Sequence, residues 1–497
     1  MKLISNLTAV TFAATLLLSC NQTTKTTTST ADTSTVSNST TAHSRLGKAT
    51  REDKNGWIYV HLSGSPADVG YQHGYLVAKE IDTLIKVLQY YLPSSSGKDW
   101  AFYRGAAHRF LWKKIDKEYQ DEIKGIAEGL HARGMKYDSL DITAMNAYYE
   151  LPGYYVPTLM NKVKPDSGDN RAPGNCSAFI ATGSFTKDHK IVMGHNNWTD
   201  YIVGERWNEI ADIKPEKGNE ILMDCGPGFI HSGDDFLITK NGIMITETTI
   251  TQFKGYDTTK TPEFVRARRA AQYSNSIDDV VKIMVADNNG GYANDWLIGD
   301  TKTNEVAKLE LGLLNHKVWR SKDTAFIGSN FAVDPKLIKE ETTFDVKDKT
   351  TSPNARRKRM EQLVHVNYKG KLDDATGKTI EGDTYDALNN KTAFDRCVID
   401  GHVEEDPLGC REFNEGPFFP MGAVQGKVTT TDLANKMQLW AHMGHPGGAD
   451  FLAAPFLKKH PEYFKTQGKY LRDMKAYPWT LFSADNNADL SLPAYKK

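Results

Sequence analysis

The chain has 497 residues, and 61 Lys+Arg against 62 Asp+Glu give a net charge of −1. That balance removes the electrostatic case for a dedicated nucleic-acid binder, which needs a basic excess or stripe. With 39% hydrophobic and 10% aromatic residues the composition is globular; five cysteines cannot make a disulfide scaffold, and no apolar run reaches the ~20 residues of a membrane-spanning helix.

Residues 1–20, MKLISNLTAVTFAATLLLSC, combine Lys2 with an apolar stretch over 7–18 and end in Leu17-Leu18-Ser19-Cys20. This reads as a secretory signal, 1–19, too short for a transmembrane helix. Its end resembles the bacterial lipobox, in which the cysteine is acylated and becomes the mature N-terminus; a plain signal with a chance cysteine is the alternative. The following tract is almost all Thr, Ser, Asn and Ala. Such a tract cannot bury enough apolar area to offset its ordering entropy. Residues 20–50 are therefore expected to be a disordered tether, joined to a membrane through lipidated Cys20. The expected location is the bacterial cell envelope, periplasmic or surface-exposed.

Residues 57–62 predict a strand, and Ser-Gly-Ser-Pro (63–66) with Asp68 opens a helix carrying Val69, Leu76, Val77, Ile81, Leu84, Ile85 and Leu88 at helical spacing. Residues 101–151 read as helical with short breaks. Residues 163–175 form a Pro/Gly/Asp loop. Short strands are predicted at 177–182, 190–194, 207–213, 219–224, 235–240 and 243–249. Two helices follow at 262–274 and 276–286, then strands at 295–300 and 305–311. This order predicts an α+β layered body. A mainly helical segment, 51–175, precedes a segment, 176–497, that begins with a cysteine.

No Gly-x-Ser-x-Gly elbow, His-Glu-x-x-His, Walker loop or Cys-x-x-Cys occurs. What does occur is Gly174-Asn175-Cys176-Ser177-Ala178, joining the loop to a strand, followed by Gly194-His195-Asn196-Asn197-Trp198. A thiol needs a base to become a nucleophile. A cut between Asn175 and Cys176 would supply one, because the new α-amine has a reference pKa of about 7.7–8.0. His195 and Trp198 end the next strand, which a hairpin brings near Cys176. An inert buried cysteine ahead of a strand is the alternative on these residues alone.

Four blocks carry a family resemblance: Gly-Ser-Pro-Ala-Asp-Val-Gly-Tyr-Gln-His-Gly (64–74); residues 175–180 with 194–198; Asn-Asn-Gly-Gly-Tyr-Ala-Asn-Asp-Trp-Leu-Ile-Gly-Asp (288–300); and residues 420–430 with 441–448. In this order and spacing the chain resembles the phospholipase B-like family of N-terminal-nucleophile hydrolases. It is also similar to the acyl-coenzyme A:6-aminopenicillanate acyltransferase-type cysteine enzymes. The resemblance implies an αββα sandwich, two stacked antiparallel sheets between helical layers. It implies self-cleavage before Cys176, with residues up to Asn175 retained as a partner segment. His195 and Trp198 match residues beside the nucleophile, and Thr248 matches a pocket threonine. Asn294 matches an oxyanion-hole asparagine; a surface-facing turn residue at a strand start is the alternative. The family also places an arginine near the nucleophile. Within 353–359 the choice is Arg356, with an exposed basic helix face as the alternative.

His442 and His445 are spaced for a metal, but Gly-His-Pro-Gly-Gly reads as a turn and no third ligand clusters with them in sequence. No metal or cofactor is expected. Cys397 and Cys410, thirteen apart, are candidates for a disulfide in an oxidising compartment. The expected activity is cleavage of acyl ester or linear amide bonds through an acyl-thioester on Cys176. The acyl-lipid or N-acyl small-molecule substrate follows only from the resemblance. Rival readings are an amidase or acyltransferase acting on N-acyl amino compounds or bile-salt-like conjugates, and a non-catalytic surface-tethered binding protein.

Overall fold

The computed structural model describes residues 44–163, 176–233 and 236–484. The expected signal, Cys20, most of the tether, Asn175 and most of the 163–175 loop lie outside the described residues. The strands in chain order are β1 (Thr50–Lys54), β2 (Trp57–Gly64), β3 (Cys176–Thr182), β4 (Val192–Asp200), β5 (Glu209–Pro215), β6 (Ile221–Cys225), β7 (Leu237–Thr239) and β8 (Ile243–Thr249). Then come β9 (Asn294–Asp300), β10 (Glu305–Leu311), β11 (His316–Ser321), β12 (Thr324–Gly328), β13 (Tyr385–Asp386), β14 (Lys391–Thr392), β15 (Met421–Thr430), β16 (Gln438–Met443) and β17 (Thr480–Ser483).

Nine strands form one sheet, ordered β1-β2-β5-β6-β7-β8-β9-β10-β11; six form another, ordered β12-β3-β4-β15-β16-β17; β13 and β14 pair separately. Pairing is antiparallel except between β2 and β5, where Ile58–Gly64 run parallel to Glu209–Pro215. Strand alternation sorts the side chains into layers. Ala178 and Ile180 of β3 pack with Met193, Ile210, Leu222, Met244 and Leu297 in a core shared by both sheets. Phe179 and Ala181, one residue out of phase, pack with Met360, Leu363 and Ile380 from the helices Ser352–Gln362 and Asp374–Glu381 and the turn between them. The outer face of the nine-stranded sheet is covered by helices of 66–163 and by Glu263–Tyr273 and Ile277–Val285. The architecture is therefore the expected α+β sandwich of stacked sheets between helical layers.

The folded body begins before residue 51, which corrects the expected tether boundary. Leu46 and Ala49 are buried and Thr50 opens β1. These two apolar side chains have a core to enter, so the Thr/Ser-rich character ends earlier than residue 50. Cys397 and Cys410, the candidates for a disulfide, are both free buried thiols.

The 64–74 block has a packing explanation. Ser65 caps the helix Pro66–Leu76 by accepting from Asp68 N, and Pro66 occupies its first turn. Gly70 and Gly74 then face Gly125 and Gly129 of the helix Lys117–Ala132. A Cβ on Gly70 or Gly74 would overlap the carbonyl of Glu122 or Ile126, and one on Gly125 or Gly129 that of Ala67 or Tyr71. The two backbones are thus in direct contact, and neither can yield by rotating a side chain. Gly74→Val is expected to destabilise the protein by about 3 kcal/mol or more, the upper range for overpacking. Thermal unfolding against wild type checks this; an unchanged midpoint would contradict it.

Candidate active site

β3 begins at Cys176, and its thiol-bearing side chain is 1% exposed. The β3–β4 ladder sets Cys176 opposite Asn197 and Ala178 opposite His195. Directly opposed residues share a face, so Cys176, Asn197 and His195 stand with Ala178 on the side turned to the nine-stranded sheet. Cys176 Sγ lies 3.8 Å from Asn197 Oδ1. From the other sheet comes Glu247: its carboxylate, a His195 ring nitrogen and Cys176 Sγ all lie within 4.8 Å of one another. Tyr292 donates to Glu247 Oε1 at 2.9 Å. Glu247 was missed by sequence reasoning, although a carboxylate inside the strand Ile243–Thr249 is the kind of polar interruption that marks a site.

The backbone of Cys176 is held at both ends. Its N–H donates to Asn330 Oδ1 at 3.1 Å, and its carbonyl accepts from Arg356 Nη1 at 2.6 Å. The same guanidinium donates to Ser177 Oγ at 2.9 Å and, through Nη2, to Asn330 Oδ1 at 2.7 Å. Asn330 Nδ2 donates to the Thr249 carbonyl at 3.1 Å, which ties this clamp to the facing sheet. Arg356 is fully buried, with Nε on Ser352 Oγ at 3.0 Å. Burial pushes its pKa down to about 10, so it remains a cation at neutral pH. The exposed-face alternative for this arginine is excluded by that burial. Its neighbours Arg357 and Arg359 instead pair with Glu361 and Asp383 at 2.9 and 2.7 Å. Asn330 was also missed. It follows Gly328 and Ser329 at the end of β12, and its φ of 70° is a left-handed conformation that asparagine tolerates.

Trp198 lies one residue past Asn197 and so faces the other way, toward the helical layer. Its ring sits 4.3 Å beneath the Arg356 guanidinium, and its Nε1 donates to the Ile399 carbonyl at 2.9 Å. Trp198 therefore reaches Cys176 through Arg356. Thr248 lies against Gly328 of β12, where a Cβ would overlap the threonine side chain. Gly328 is opposite Ala178, so Thr248 sits beneath the strand pair that carries the thiol.

Asn294 is fully buried, which corrects the surface-facing alternative. Neither polar atom of its side chain has a hydrogen-bond partner among the described residues. Among the described residues no hydrogen bond joins it to Cys176. Its connection is through the sheet: Asn294 is opposite Thr249, two residues from Glu247 on the same face. Asn197 Nδ2 is likewise buried without a partner among the described residues, and it belongs to the side chain beside Sγ.

The Cys176–His195–Glu247 donor set could accept a soft divalent cation. The arrangement also suits acyl transfer: a buried thiol, a cation on its own backbone, and buried amide donors. A cavity of about 530 Å³ is lined by Leu92, Tyr149, Val156, Phe413 and Met421 with the polar Asp200 among others. Phe413 also stacks on Arg356 at 5.8 Å, which joins the cavity to the clamp. Among the described residues no helix is long and apolar enough to cross a membrane.

The model of the phospholipase B family matches residues 101–438. The chain is 24% identical over 267 residues to an uncharacterized protein of Archaeoglobus fulgidus, covering 50% of this chain and 42% of that one. It is 24% identical over 334 residues to putative phospholipase B-like 1 of Caenorhabditis elegans, covering 59% and 57%. It is 29% identical over 164 residues to putative phospholipase B-like 2 of Homo sapiens, covering 28% and 26%. The matches thus span less than two thirds of these relatives' own lengths.

Proposed function

Because this chain belongs to the phospholipase B family, we propose that it is a self-processing hydrolase whose nucleophile is the N-terminal cysteine left by cleavage between Asn175 and Cys176. The bond attacked in turnover is an acyl ester or linear amide, and the family name favours deacylation of lipids. One observation carries this reading: Asn330 and Arg356 hold the two backbone ends of Cys176. A buried guanidinium and a buried amide that meet on the main chain of one cysteine support a site there over an inert core thiol.

In processing, Sγ attacks the Asn175 carbonyl carbon. The S–C bond forms as the C–N bond breaks, and the thiol proton passes to the departing Cys176 nitrogen. Water hydrolyses the thioester, leaving a carboxylate on Asn175 and a free amine and thiol on Cys176. In turnover that amine, when neutral, takes the thiol proton and Sγ adds to the substrate carbonyl. The leaving group departs with the proton, and water releases the acid. Asn330 accepts one amine N–H and so aims the lone pair. Asn197 Nδ2 is the proposed donor to the oxyanion, with Asn294 as a second donor from the facing sheet. Trp198 positions Arg356, and Thr248 shapes the floor under β3. The 530 Å³ cavity is the proposed acyl site.

The two pieces are expected to stay together after the cut. β2, from the first piece, hydrogen-bonds to β5 inside the nine-stranded sheet. Glu122 and Arg268, both buried, also join the two pieces, at 2.9 Å.

The pH profile tests the base. Activity should rise with pH through the α-amine pKa, whose reference is about 7.7–8.0. Acylation of the amine should abolish turnover with the thiol free. Activity that survives acylation, with a rise near the imidazole reference of about 6.5, would assign the base to His195 instead.

We also propose that Cys20 carries the lipid anchor of a cell-envelope protein. Two or more acyl chains give stable membrane attachment where one gives little. Cys20→Ser should move the protein to the soluble fraction; a mutant still held by membranes would contradict the anchor.

A further inference from the structure

We propose that Asp400, His402 and His445 form a divalent-cation site of the zinc class, separate from the Cys176 site. Their donor atoms all lie within 4.8 Å of one another, and the three residues are at most 2% exposed. Asp400 Oδ2 is 2.9 Å from His402 Nε2 and 4.0 Å from His445 Nδ1. A tetrahedral zinc with bonds of ~2.0 Å needs ligand atoms roughly 3.3 Å apart. The observed spacings bracket that value, so small side-chain rotations would close the site.

The atoms not aimed at the site are all fixed. Asp400 Oδ1 accepts from Gly447 N at 2.9 Å. His402 Nδ1 meets Glu404 Oε1 at 2.9 Å. Tyr201 donates its hydroxyl hydrogen to Glu404 Oε2 at 2.6 Å, and its oxygen lies 3.1 Å from His445 Nε2. Metal-binding histidines characteristically have the far ring nitrogen anchored to a carboxylate or another polar group. Gly447 is required for this arrangement, because a Cβ there would overlap the Asp400 carboxylate. The His-Pro-Gly-Gly turn thus places His445 and frees space for its partner ligand.

His445 Nδ1 lies 4.0 Å from Asp400 Oδ2 and 3.4 Å from the Asp400 carbonyl oxygen, and its ring stacks on His402 with centroids 4.0 Å apart. A cation held by Nδ1, Oδ2 and His402 Nε2 would replace the proton that His402 Nε2 and Asp400 Oδ2 share at 2.9 Å, with a fourth position for water. It would also join the 399–404 loop to the turn after β16. Ile399 holds Trp198, and Trp198 underlies Arg356, so the cation would act as a positioning element for the clamp on Cys176.

The test uses the full chain carrying Cys176→Ser, which removes the thiolate from the other donor set. After chelator treatment, zinc is titrated by calorimetry and cobalt(II) by visible absorption. The expected result is one tight equivalent, a higher unfolding temperature with zinc, and cobalt bands of a four-coordinate site. His445→Gln should weaken binding by at least about 10²-fold. Glu404→Gln, which keeps all three ligands, should weaken it by roughly 10–100-fold, and it decides the question if His445→Gln does not fold. No tight equivalent in the parent chain, or one left unchanged by these substitutions, would overturn the site and leave a histidine–carboxylate salt-bridge network.

Discussion

Cys176→Ala is expected to remain one uncut chain with turnover at background, a loss of about 10⁴-fold or more, as for removal of a covalent nucleophile. Folding should be preserved. The Sγ contact with Asn197 Oδ1 is long, at 3.8 Å, whereas the clamp by Asn330 and Arg356 is made to the backbone and survives truncation. The thioester route demands that both losses occur together, because one sulfur performs the cut and the turnover. Cys176→Ser separates them in degree: its hydroxyl is a poorer nucleophile, so slow cutting with much reduced turnover is expected. Denaturing gels and a chromogenic acyl ester report both. Turnover by a folded Cys176→Ala protein would remove the cysteine from the chemistry.

Asn197→Ala is expected to lower kcat by about 10²–10³-fold with KM changed only a few-fold, since an oxyanion donor acts mainly in the transition state. The observation behind this is a buried, unpartnered Nδ2 on the side chain that touches Sγ. Asn294 shares the buried and unpartnered character but is reached only through the Thr249 pairing, so Asn294→Ala should cost less. The pair of variants is informative together. A full loss in Asn294→Ala with none in Asn197→Ala would place the hole on the facing sheet and restore the role that the family resemblance gives Asn294. Equal, small losses in both would leave the oxyanion to backbone donors.

Most strands from β3 to β10 were legible because they are short apolar runs bounded by turn residues; β4 runs to Asp200, six residues past its expected end at 194, because its polar second half, His195 to Asp200, carries no apolar pattern. The parallel pairing of β2 with β5 was not legible, because it joins runs 150 residues apart with no local signature. β12 was unread for a related reason: Thr324–Gly328 gains its meaning only by pairing with β3. That pairing delivers Asn330 to the Cys176 nitrogen, so the residue that holds the Cys176 backbone carried no motif. Arg356 shows the limit of periodicity. The helix Ser352–Gln362 has four consecutive basic residues, and only packing reveals that Arg356 turns inward with Met360. The buried status of Asn294 was missed because an asparagine beside a Gly-Gly-Tyr-Ala stretch reads as a turn, whereas it opens β9 inside the nine-stranded sheet.

His445 illustrates the same point in another region. Its spacing from His442 suggested a ligand pair, yet its close neighbours are Asp400 and His402, more than forty residues earlier. Sequence distance hid the third donor that a local reading could not find.

Intact mass and N-terminal sequencing of active protein test the proposal that Cys176 becomes an N-terminal residue by self-cleavage and then acts as nucleophile. Two associated pieces of roughly 17 and 36 kDa before lipid are expected, at ~0.11 kDa per residue, with the larger beginning at Cys176. Fully active protein that remains a single chain through Asn175 and Cys176 would contradict it.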